Sequence, residues 1–85
     1  MKHEINGKEL KASDLTLRDI WNILDYLNAE AFDWLNNEIA KHGTARLERC
    51  TESLQQEAVM LLDNAALKDP EAYIQLMEYL AETHG

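Results

Sequence analysis

Apolar residues recur at three- and four-residue intervals along nearly the whole chain, and the pattern is punctuated at only two places. The first run is Leu17, Ile20, Leu24, Leu27, Ala31 and Trp34, with a second stripe through Trp21, Phe32, Leu35 and Ile39. The second run is Leu47, Cys50, Leu54, Ala58, Leu61 and Ala65; Val59, Met60 and Leu67 lie off it. The third is Tyr73, Ile74, Met77, Leu80 and Ala81. This is the period of an amphipathic helix and not of a strand, so the chain must bury three helical stripes against one another. The spacing predicts helices over 16–42, 45–67 and 70–82, a mainly α fold built as a small three-helix bundle. The first of these is read either as one helix or as two broken near Asn28.

The punctuation supports those boundaries. Thr16 with Asp19 three residues on forms a variant of the capping box, and Lys41-His42-Gly43 supplies cations and then glycine at a helix end. Thr44 is positioned to cap the second helix. Asp69-Pro70-Glu71 places a cap, a proline at the first helical position and an acid in the first turn. Ahead of all this, His3 to Ala12 contains Asn6-Gly7, the pair that a two-residue type I′ turn requires. The segment reads as a short N-terminal β-hairpin, with a plain extended arm as the alternative. Residues Thr83 to Gly85 are expected to fray.

At 85 residues the chain has room for a single domain over 1–85. Its hydrophobic content of 46% is too high for disorder. Sixteen acids against eight bases leave a formal charge of −8, which argues against direct nucleic-acid binding and against docking on anionic membranes. No apolar run reaches the length of a membrane span, no signal-like segment follows Met1, and Cys50 is the only cysteine. A cytoplasmic protein, complete as written, is the expectation.

Catalytic chemistry finds little support. Cys50 lies in an apolar stripe, where a buried and unreactive thiol is expected. His3, His42 and His84 form no pair at helical spacing and have no cysteine pair to join, so no metal site is expected. His3 and His84 are read as exposed terminal residues, and His42 as complementing a helix end. The carboxylate pairs Glu30/Asp33, Glu48/Glu52 and Glu78/Glu82 read as solvated neighbours that repel by roughly 0.2–0.5 kcal/mol. No glycine loop fits a phosphate. No cofactor and no enzyme activity are expected.

Binding surface remains. Projected on a helix, residues 17–39 carry an apolar arc of about 180°, wider than the roughly 100° of an ordinary surface helix. Trp21, Phe32, Trp34 and Ile39 lie toward its edges and are the candidate partner-binding residues, with self-association as the expected use. The acids are unevenly placed: five and no base over 19–40, four and no base over 69–85. Asp19, Asp25, Glu30, Asp33, Glu71, Glu78 and Glu82 are therefore candidates for an acidic surface. That surface either keeps the chain soluble or meets a basic partner.

The segment Ile5-Asn6-Gly7-Lys8-Glu9-Leu10, followed by Leu15-Thr16-Leu17-Arg18-Asp19-Ile20, resembles the opening of tailed-phage tail assembly chaperones. The resemblance covers residues 3–24. It implies a non-enzymatic, self-associating protein that holds a long helical tape-measure protein soluble and recruits tail-tube subunits. It brings no binding motif to specific positions. The competing expectations are an acidic inhibitor that mimics nucleic acid before a basic protein, and a bacterial helical adaptor.

Overall fold

A computed structural model describes residues 2–27, 29–43 and 51–84. The fold is mainly α with a short antiparallel hairpin at its start. Strand β1 (His3–Ile5) pairs with β2 (Lys8–Leu10) in the register His3 to Leu10 and Ile5 to Lys8. Asn6 and Gly7 both have positive φ, 53° and 77°, as the expected type I′ turn demands. A 3₁₀ turn over Ala12–Asp14 follows, closed by the Lys11 amide donating to Asp14 Oδ2 at 2.9 Å.

Among the described residues four helices follow: α1 (Leu17–Leu27), α2 (Ala29–His42), α3 (Thr51–Lys68) and α4 (Pro70–His84). Their ends are set by the residues that the sequence marks. The Thr16 amide donates to Asp19 Oδ2 at 2.9 Å and the Asp19 amide to Thr16 Oγ1 at 3.1 Å, a reciprocal cap on α1. Gly43, with φ 71°, ends α2 by donating its amide to the Ile39 carbonyl at 2.9 Å. Asp69 Oδ1 accepts the Ala72 amide at 3.3 Å ahead of Pro70. Helix α4 continues to His84, two residues beyond its expected end. The expected start of the second helix, Thr44 to Cys50, lies outside the described residues, and so does the expected burial of Cys50.

The first helical run is the broken form. The rings of Trp21 and Phe32 lie 5.0 Å apart, and Trp21 Nε1–H donates to Asn36 Oδ1 at 3.0 Å. On an unbroken helix, residues 21 and 36 would stand about 22 Å apart along the axis. Helix α2 therefore folds back along α1.

This return explains the wide apolar arc. Helix α1 contacts α2, α3 and α4, so its apolar surface is taken up by three neighbours of the same chain. Ile20, Ile23 and Leu24 from α1 meet Leu35 from α2, Leu54, Ala58 and Leu62 from α3, and Leu76, Met77 and Leu80 from α4. Ile5, Leu10 and Leu15 close one side of this core. On α4 the buried stripe is Leu76, Met77 and Leu80, whereas Ile74, expected inside, is 55% exposed. Ile74 sits about 100° around the helix from Tyr73, past the edge of the stripe.

Candidate functional site

Two polar clusters, each built on one buried residue, join the hairpin to α3 and α4 and the start of α1 to the end of α4. The first centres on His3, which is 2% exposed and so contradicts the exposed reading of this residue. Its Nε2 lies 2.6 Å from Asp63 Oδ1, and its Nδ1 lies 2.6 Å from the Tyr73 hydroxyl. An ionised carboxylate only accepts, so Nε2 carries hydrogen and donates to Asp63. With a neutral ring, Nδ1 then accepts from the tyrosine. Burial first, and the negative charge of Asp63 second, push the Tyr73 phenol above its ordinary pKa of 10.0. Tyr73 is thereby held as a hydroxyl donor rather than activated as a nucleophile. The three residues act as a clasp of β1 onto α3 and α4.

The raised pKa has a consequence at high pH. A phenol that ionises later in the folded than in the unfolded chain contributes stability that is fully present below pH 10 and lost as pH rises through the folded value. A spectrophotometric titration near 295 nm is expected to show a phenol that ionises above the ordinary value of 10.0. Tyr73→Phe is expected to remove that late phase. A titration curve whose late phase survives Tyr73→Phe would contradict this assignment.

The second cluster corrects one member of the expected acidic surface. Asp19 is 1% exposed. Its Oδ2 accepts both the Thr16 amide and His84 Nε2, the latter at 2.8 Å, while Oδ1 is buried with no partner among the described residues. The carboxylate is turned inward because it caps α1, where the helix dipole favours negative charge, and because the C-terminal histidine reaches it. His84 is thus engaged where fraying is expected, its side chain keeping 24% of its accessible surface. Asp25, Glu30, Asp33, Glu71, Glu78 and Glu82 are all exposed.

The four aromatic and aliphatic candidates divide. Trp21 and Phe32 stack on each other at a 56° tilt and are partly buried, and Ile39 packs partly buried against the core. Trp34 is 51% exposed. Met60, Leu67, Ile74, Tyr26 and Tyr79 are also exposed. Met60 and Leu67 were marked by lying off the stripe of their helix; Ile74 carried no such mark. Tyr26 and Tyr79 are held along the α1–α4 seam. There the Tyr26 hydroxyl bonds to Gln75 and Asn22 Nδ2 donates to the Tyr79 hydroxyl at 3.1 Å.

Beside the hairpin lies an open groove of about 300 Å³, walled by Glu4, Ile5 and Asn6 on one side and by Tyr73, Ile74, Met77, Glu78 and Ala81 of α4 on the other. Asn6 Nδ2 donates to the Ala81 carbonyl at 3.1 Å, and His3 bonds Tyr73, so hairpin and helix are pinned together at two points along it. Among the described residues no group of three or more metal-ligating side chains comes together, and no helix is long and apolar enough to cross a membrane. No family model matches the chain, and neither does any curated protein or solved structure compared with it.

Proposed function

We propose that this chain is a non-enzymatic protein-binding module that holds an apolar helical segment of another protein. The observation that carries the reading is Trp34. Its helix is already anchored by Leu35, which is fully buried, and by Phe32 against Trp21, yet Trp34 stands half exposed beside them. Exposed tryptophan is costly to leave in water and is enriched among the residues that dominate binding energy. The resemblance of residues 3–24 to tail assembly chaperones supplies the setting: a client of the tape-measure kind, held during assembly. The exposure of Asp25, Glu30, Asp33, Glu71, Glu78 and Glu82 favours a second reading, an acidic inhibitor of a nucleic-acid-binding protein.

Co-expression with a tagged, long helical tape-measure protein tests the first reading. The chain is expected to be retained with the client, and Trp34→Ala to weaken retention about tenfold, the size of one lost interface anchor. Retention that is unaffected by Trp34→Ala, or absent altogether, would remove it. An inhibitor would instead capture a basic protein, compete with DNA or RNA for it, and release it steeply as salt rises.

A further inference from the structure

The groove between the hairpin and α4 is walled by residues that no function above uses, and none of them comes from α2, where Trp34 lies. Its apolar lining is the exposed Ile74 and the partly buried Ala81 of α4, together with Met77 and Ile5 of the core, each only 9% exposed. Ile74 is a large aliphatic side chain more than half in water. An acid stands on each bank, Glu4 on the hairpin and Glu78 on the helix, and no lysine or arginine of the described residues ion-pairs with either. The acidity continues along α4. Glu71, Glu78 and Glu82 fall within about 40° of one another around the helix and next to Ile74. Residues 69–85 contain no lysine or arginine to offset them.

We propose that this groove is a docking surface for a basic amphipathic helix of another protein, separate from the surface at Trp34. The charge arrangement argues for that occupant. Its aliphatic side chains would seat on Ile74 and beside Ala81, while lysines or arginines flanking them would meet Glu4 across the groove and the glutamates of α4 along it. Glu71, Glu78 and Glu82 are spaced by seven and four residues, about 10 and 6 Å along the axis, which matches cations on successive turns of a helix lying beside α4. An acidic or purely apolar segment would leave the two glutamate banks unpaired or repelled. The pins at His3–Tyr73 and Asn6–Ala81 fix both walls before any partner arrives, which lowers the ordering cost of binding.

The probe is a fluorescein-labelled amphipathic peptide of leucine and lysine, about 15 residues or four helical turns long. A peptide of the same composition with scrambled order, and one with glutamate replacing lysine, serve as comparisons. Fluorescence anisotropy with the full chain at low salt is expected to show binding of the leucine–lysine helix alone. Ile74→Asp is expected to weaken it about tenfold or more. The double change Glu4→Gln and Glu78→Gln is expected to weaken it several-fold and to flatten its dependence on salt. Trp34→Ala is expected to leave it unchanged, so that loss of client retention and loss of peptide binding are separable results. Both variants change exposed side chains, and circular dichroism checks that they fold. Equal binding of the scrambled peptide, wild-type affinity in both groove variants, or no binding at all would overturn the proposal.

Discussion

Replacing His3 with alanine is expected to lower the free energy of unfolding by about 3 kcal/mol, a large share of the total of an 85-residue domain. The ring is buried and hydrogen-bonded at both nitrogens. Its removal leaves Asp63 and Tyr73 without their partner and opens a void beside the core, and both losses act in the same direction. The hairpin itself has two strands of three residues, too little to persist in water without docking. The urea midpoint is expected to fall, and amide protection over residues 3–10 to disappear before that of the helices. Tyr73→Phe, which keeps the ring and removes one hydrogen bond, is expected to cost only about 1 kcal/mol. A loss below about 1 kcal/mol for His3→Ala would mean that the clasp contributes little.

The second large effect concerns Leu35. It belongs to α2, and it is fully buried only because α2 returns along α1 to meet Ile20, Ile23 and Leu24. Leu35→Ala is expected to destabilise by about 2–5 kcal/mol, the range for truncating a core leucine. Had the chain continued as one helix from Leu17 to His42, Leu35 would project beyond the core and the same change would cost less than about 0.5 kcal/mol. Denaturant unfolding of this one variant therefore separates the two geometries. A double-mutant cycle between Trp21 and Asn36, bonded at 3.0 Å, provides an independent reading.

Local chemistry made much of the secondary structure legible. Asn6-Gly7, the Thr16–Asp19 pair, Gly43 and Asp69-Pro70 each act within a few residues, and each has the conformation or hydrogen bond expected of it. The return of α2 was open at the sequence level because both geometries satisfy the same three- and four-residue spacing. Periodicity records which residues face inward and not whether the axis turns. The burial of His3 and Asp19, and the bond of the exposed His84 to Asp19, escaped for a related reason. Their partners lie 60 to 70 residues away, and nothing in the flanking residues of a terminal histidine distinguishes a solvated ring from one that bonds a distant carboxylate. Asp19 carried a partial signal. The capping box marked its side chain as engaged, but a cap on an exposed turn and a cap beneath a second helix have the same letters.

The clasp at His3 also orders events in time. Asp63, Tyr73 and Ala81, the partners that hold β1 and its turn, emerge from a ribosome 60 to 75 residues after the residues they receive. At about 5–20 residues per second, the first strand waits several seconds without the helix that will cover it. During that interval α1 and α2 can already close on each other through Trp21, Phe32 and Asn36, contacts that span at most fifteen residues. The residues of β1 and its turn are thus among the last of this fold to find their places, although they are made before their partners, and a nascent chain halted before Tyr73 would display Ile5 and Leu10 to whatever binds unpaired apolar strands in the cell.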